Sequence, residues 1–296
     1  MSGAGDMATS ARPVQGRSLL QDAIRRLSRN RAAIVAFGVI VAIALLSLIG
    51  PWVSAHAYDE LYYDFVAVPP SLAEGFLFGT DGVGRDLFVR TLYGARVSLS
   101  VALAATSVSL VIGVLYGAIS GYLGGRADLL MMRFVDVLYA LPFMFFVILL
   151  MVVFGRNLVL MFVALGLVEW LTMARIVRGQ TLSLKRKEFV EAAVASGVRT
   201  PAIILRHIIP NLMGPVIVYV TLTIPQVILI ESFLSFLGLG VQEPLTSLGV
   251  LIAEGAEEME TAPWMLVFPA VFLVALLFSF NFLGDGLRDA LDPKDR

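Results

Sequence analysis

The decapeptide FGTDGVGRDL, residues 78–87, sets Gly79 and Gly84 at the spacing of a phosphate-binding G-x-x-x-x-G loop. The following positions are Arg85 and Asp86, where such a loop needs a lysine for phosphate and a hydroxyl for magnesium, so no nucleotide site is inferred. Gly79, Gly82 and Gly84 read instead as tight turns, tied down by the neighbouring Asp and Arg side chains. The chain has no cysteine, which excludes disulfides, thiolate nucleophiles and cysteine metal sites. Its two histidines, His56 and His207, stand too far apart in sequence to suggest a metal cluster or a triad. Three carboxylates interrupt apolar stretches, where each costs on the order of 3 kcal/mol. Asp136 and Glu169 are within reach of Arg133 and Arg175 or of the membrane interface, and pairing is expected. Glu231 sits deeper, between Ile230 and Ser232, and is expected to face a partner chain or a water-filled path.

A different chemistry, that of docking, is carried by residues 185–211, KRKEFVEAAVASGVRTPAIILRHIIPN, an island of charged residues and helix formers between long apolar segments. Ser183 can cap a helix through Glu188, Phe189, Glu191, Ala192 and Ala193, and Gly197 tolerates the positive φ of a helix stop. Thr200 and Pro201 suit the start of a second helix, which Pro210 and Asn211 are expected to end. Phe189, Ala192, Ala193 and Ser196 recur at helical steps, a stripe of small residues with one aromatic knob. Such a stripe permits close approach by another protein or by the chain itself; spacing alone leaves both open.

The elements that hold these residues can be read from composition. Of 296 residues, 58% are hydrophobic and 15% charged, against roughly 45–50% and about 25% in soluble domains, so this is a multi-span membrane protein. After a basic tail, residues 1–31, with a possible surface helix at 18–29, six apolar runs are long enough to cross: 32–53, 97–123, 134–154, 158–176, 212–237 and 264–283. With the N-terminus inside, eighteen Lys and Arg fall on the cytoplasmic side and four outside. Both termini and the loop 177–211 are therefore expected in the cytoplasm, with outside loops at 55–95 and 239–263. The last outside loop carries Glu243, Glu254, Glu257, Glu258 and Glu260, and its apolar stretch 248–252 is expected to dip into the membrane or form a short helix near an outer vestibule. Gly113, Gly117 and Gly121, four apart, mark a close-packing helix face. The expected fold class is all-α, a polytopic membrane protein with six transmembrane helices and no enzymatic constellation.

Glu191-Ala192-Ala193, Gly197 and Pro210 match the E-A-A-x3-G coupling signature and proline-terminated helix of permease subunits in binding-protein-dependent ABC importers. The blocks FGTDGVGRDLFVRTLYGARVSL, GYLGGRADLLMMR, MARIVRGQTLSLKRKEF, ESFLSFLGLG and FNFLGDGLRDALDPKDR, in this order, resemble the second, C-type inner-membrane permease of bacterial oligopeptide importers from about residue 16 to the end. His207 stands where the general pattern has isoleucine, and Leu248 stands where such permeases usually have tryptophan, a departure that bears on the outer gate; Leu248 there and Glu231 by its depth are the candidates for the gate or pathway. The resemblance implies the type I importer permease architecture, paired with a homologous permease, two cytoplasmic ATPase subunits and a periplasmic peptide-binding protein. Peptide is the implied substrate, with membrane lipid around the chain and no nucleic acid. ATP and Mg belong to the ATPases in this scheme, and Phe189, Glu191, Ala192, Ala193, Gly197 and Pro210 would transmit their motion. The rival reading is a proton-coupled secondary transporter titrating Glu231 or Glu169, which six spans without a visible inverted repeat fit poorly.

Overall fold

The computed structural model describes residues 24–155 and 157–291. The chain folds as a helical bundle: α1 Arg31–Val53, α2 Leu87–Leu123, α3 Gly125–Tyr139, α4 Phe143–Phe154, α5 Leu158–Leu184, α6 Glu188–Ala195, α7 Thr200–Phe236, α8 Leu248–Glu257 and α9 Trp264–Leu291. Among the described residues only two isolated β-bridges occur, Ser71 with Phe76 and Thr80 with Asp86. Among the described residues five helices are each long and apolar enough to cross a membrane, and six passages result if the bent pair α3 and α4 is counted as one span. The surface helix expected at 18–29 lies mostly outside the described residues; 24–27 are helical.

Polar side chains set several helix starts. Asn30 accepts from Ala33 N at 3.2 Å, Asp86 from Phe88 N at 2.8 Å, Asn157 from Leu160 N at 2.7 Å and Ser247 from Val250 N at 3.2 Å, each satisfying a donor the first turn leaves orphaned. Capping by Asp86 explains why α2 begins at Leu87 rather than at the expected residue 97. Its first turns carry charged Arg90 and Arg96, which end an apolar run but not a helix, and Leu87 and Leu92 are buried there. In the same way α5 runs past residue 176 to Leu184, because Arg175 and Arg178 pair with Asp136 and Asp128 of α3.

The expected third span is not one helix. Tyr139 ends α3, Pro142 precedes α4, and the two axes bend by 74°. A proline disfavours helical conformation at the residue before it and removes one backbone donor, so the break belongs at this position.

At the centre, α2 packs against α5 along most of its length and also contacts α1, α7 and α8, while α9 closes the bundle against α1 and α7. The α2–α5 seam is made by glycine: a Cβ on Gly117 would lie 2.4 Å from the Ala174 carbonyl, one on Gly113 2.5 Å from the Met173 side chain and one on Gly121 2.8 Å from the Arg178 carbonyl. The expected close-packing face is therefore present, with Gly166 of α5 answering it against Val108.

Candidate functional site

The island begins where α5 ends. Lys185 Nζ donates to the Gly121 carbonyl at 2.9 Å, and Arg178 grips Asp128 with two bonds of 2.5 Å, so the C-terminal ends of α2 and α5 and the start of α3 are fastened together. Asp128 also accepts from Ser120 Oγ at 2.6 Å. Ser183 lies inside α5, and Lys187, not Ser183, precedes α6 without a side-chain cap. Helix α6 then stops in a Schellman motif: Gly197 adopts φ +75°, its N–H bonds Val194 O at 2.9 Å, and Val198 N bonds Ala193 O at 3.1 Å. Nothing approaches within 4 Å of a Cβ built on Gly197, so backbone conformation rather than space demands glycine there.

Two faces of α6 do different work. Val190 and Ala193 are buried among Ile203, Ile204, Ile208 and Leu212 at the start of α7. Glu188, Phe189, Glu191, Ala192, Val194 and Ser196 are exposed. The expected stripe therefore splits: Ala193 packs on its own chain, while Phe189, Ala192 and Ser196 face outward with Glu191.

The second island helix does not end at Pro210 as expected; it continues as α7. Arg199 takes the N-cap position instead of Thr200, and residues Ile204–Ile208 form a π turn in which Ile209 N bonds back to Ile204 O. One residue later comes Pro210, which has no N–H to contribute. A π turn displaces the hydrogen-bond ladder by one residue, which lets the helix pass a proline that would break a regular α ladder. Pro210 is exposed on this shaft.

Glu231 and Leu248 come together in the interior of the bundle. Both are fully buried; Ser98 Oγ donates to Glu231 Oε2 at 2.9 Å and accepts from Leu248 N at 3.2 Å, and Ser235 Oγ donates to Glu231 Oε1 at 2.8 Å. The expectation that Glu231 faces a partner or water is thus corrected. Its carboxylate is satisfied by hydroxyls of α2 and α7, which removes the reason to seek an outside partner. Gly249 beside it lacks the Cβ that would stand 2.4 Å from Ser232 Cα, and this permits α8 to lie close on α7.

At the opposite end of the bundle from the island lies a compact cap, residues 54–86, built around Asp81. Its carboxylate accepts from Val83 N at 3.0 Å and Arg85 N at 2.8 Å, and it binds Arg85 Nε at 2.7 Å as well as the guanidinium of Arg90. Arg90, 1% exposed, also reaches Glu254 of α8 at 2.9 Å, and Arg85 reaches Glu243 at 2.9 Å. Burial alone would raise the Asp81 pKa, but the charge of Arg90 and the hydrogen bonds and charge of Arg85 outweigh it and hold the carboxyl below its ordinary value. Gly79 at φ +77° and Gly84 at φ +85° make the expected turns, with Asp81 tying them down. The sequence hinted at this cluster through its Asp–Arg run but could not show that Arg90 and Glu254 meet across 164 residues. The stretch after Ser247 forms the expected short helix, α8.

A cavity of about 770 Å³ opens between the α3–α4 break, α5 and α7. Phe134, Tyr139, Phe143, Phe146 and Trp170 give it aromatic walls; Glu169, Thr172, Tyr219 and Gln226 are its polar groups. Arg175 pairs with Asp136 at 2.8 Å, as expected, and stacks over the Tyr139 ring at 4.2 Å. Glu169 is not part of that pair, and no hydrogen-bond or ion-pair partner meets it among the described residues.

Residues 109–296 match the family described as the binding-protein-dependent transport system inner membrane component, and residues 18–70 match the N-terminal TM domain of oligopeptide transport permease C. The chain is 58% identical to the oligopeptide transport system permease protein OppC of Escherichia coli (strain K12), over 96% of this chain and 94% of that one. It is 55% identical to the protein of the same description in Haemophilus influenzae, covering 96% and 91%. The dipeptide transport system permease protein DppC of Bacillus subtilis is similar at 46%, covering 94% and 87%. An all-helical bundle with five or six apolar passages, a short glycine-stopped helix braced on one of them, and these matches along nearly the whole chain lead to one conclusion: the chain belongs to the family of binding-protein-dependent transport system inner membrane components.

Proposed function

We propose that the chain is a permease subunit of an ATP-driven peptide importer, forming the pathway with a homologous permease and receiving force from a cytoplasmic ATPase through α6. The observation that carries this reading is the division of labour on α6: Val190 and Ala193 are buried against α7, while Glu191, Phe189 and Ala192 are left exposed. A helix anchored in this way moves with the transmembrane shaft, so a push on its free face is delivered to the spans. Two ATPase subunits would hold the ATP and Mg, with no nucleotide on this chain, and a periplasmic binding protein would deliver peptide to the outer cap. In this arrangement the chain is a multi-pass protein of the bacterial inner membrane with both termini cytoplasmic. Converting a 1:99 equilibrium to 99:1 requires about 5.5 kcal/mol of differential interaction, so the α6 contact must favour one state of the ATPase pair rather than simply bind tightly.

The rival proton-coupled carrier is not supported, since the similar proteins are permeases of transport systems and the Glu231 carboxylate is enclosed and hydrogen-bonded. Co-purification of the tagged chain from its native membrane tests the assembly: a second permease and ATPase chains are expected in stoichiometric amount. Gly197→Arg, which cannot adopt φ +75° without strain, and Glu191→Lys, which reverses charge on the free face, should abolish peptide uptake while leaving the protein inserted. Normal uptake in both variants would sink the coupling assignment.

A further inference from the structure

We propose that Glu169 is the contact for the α-ammonium group of the transported peptide, within the cavity between the α3–α4 break, α5 and α7. This rests on the importer reading above and adds to it a residue and a ligand group.

The residue stands about 18 Å along α5 from its outer cap at Asn157, at 1.5 Å per residue, and so near the middle of a hydrocarbon layer about 30 Å thick. No lysine, arginine or histidine lines the cavity with it, and the nearest basic residue along α5, Arg175, is occupied by Asp136 and Tyr139. Tyr219, within electrostatic reach of the carboxylate, and Thr172 offer hydroxyls but no compensating charge. Glu231 shows what a structural carboxylate looks like in this bundle: fully enclosed, with a hydroxyl on each oxygen. Glu169 has neither feature. An unpaired carboxylate at membrane depth, facing a cavity, marks a site that meets a cation during function.

The cavity says which cation. Its volume of about 770 Å³ falls in the range of pockets that take small organic ligands, and most of its wall is aromatic or aliphatic. A metal ion would need several converging ligands, and among the described residues no three His, Asp or Glu side chains converge. A peptide brings one positive group whatever its sequence, the α-ammonium, with a pKa of about 7.7–8.0 and three donors. Glu169 can take that invariant end, Gln226 and Thr172 can bond to peptide amides, and the aromatic lining, Phe134, Phe143 and Phe146 among it, accepts side chains of many shapes. Recognition of this kind is specific for a peptide terminus and indifferent to the side chains beyond it.

The test uses the complete importer in proteoliposomes, with p-benzoylphenylalanine introduced at Phe146 on the cavity wall and radiolabelled tri-alanine as probe. Illumination during ATP-driven uptake is expected to label this chain with peptide. Glu169→Gln should lower that labelling about tenfold, the size of one charge-assisted contact, and Glu169→Asp should recover part of it. Co-purification of the partner chains with each variant shows that assembly has survived. Labelling unchanged in Glu169→Gln overturns the inference, as does cross-linking to the partner permease at equal yield with and without peptide, which would mean that the partner fills the cavity. A wild-type assembly that carries no peptide overturns the importer reading itself, before Glu169 is in question.

Discussion

Arg90 is the side chain with the most to lose. It is enclosed beneath the cap of residues 54–86, pairs with Asp81 and Glu254, and joins α2 to the cap and to α8. Removing one member of a buried ionic cluster leaves the others charged and unpaired, a penalty of about 3–5 kcal/mol. Arg90→Leu should therefore lower the thermal midpoint of the detergent-solubilised protein sharply, and Glu254→Gln, at the more exposed end of the cluster, should lower it less. The same cluster makes stability depend on pH. Because the folded-state pKa of Asp81 is depressed, its contribution is complete above the unfolded value of about 3.9 and is lost as pH falls through the lower folded value. Acid unfolding below about pH 4 should thus be shallower in Asp81→Asn than in the wild type, measured as thermal midpoint against pH. The sequence named Asp81 and its arginines as a turn clamp, but the distant partners of that clamp were invisible in it.

Among the elements, the α2–α5 seam and α7 differ in how much their glycines matter. Gly117 has the Ala174 carbonyl 2.4 Å from where its Cβ would stand, so Gly117→Leu must push two backbones apart. Overpacking of this kind typically costs about 1–3 kcal/mol, and backbone contact on both sides places this case at the upper end, about 3 kcal/mol. Gly214 of α7 has only Leu291 at 4.0 Å, and Gly214→Ala should be neutral or stabilise by up to about 1 kcal/mol through helix propensity. Comparing unfolding midpoints of the two variants checks both statements. The four-residue spacing of Gly113, Gly117 and Gly121 made this face legible in advance, because period and residue size are local properties. The continuity of α7 through Pro210 was not legible: a proline reads as a stop unless one knows that a π turn precedes it.

For the molecule as a whole, the orientation proposed above can be tested without background, since the chain has no cysteine. Ser196 beside the α6 stop and Glu258 at the end of α8 are both exposed and lie in opposite loops. A membrane-impermeant maleimide should modify Glu258→Cys in intact cells, and Ser196→Cys only in inverted vesicles. The reverse pattern would overturn the orientation and with it the role proposed for α6.

What the sequence determined by itself was the class of molecule and the place of the polar island between its apolar helices. Apolar run length, the bias of basic residues and the glycine spacing are additive, local quantities, and a bilayer converts them directly into spans and close contacts. Tertiary structure alone decided which carboxylate is structural and which is free. Glu231 and Glu169 look alike in sequence, each a single acid in an apolar helix. Packing folds Ser98 and Ser235 around Glu231, whereas the bend at Pro142 turns α4 out of the line of α3 and leaves Glu169 facing a cavity between that bend, α5 and α7. The difference is a matter of what surrounds each oxygen, and those surroundings come from segments far apart in the chain.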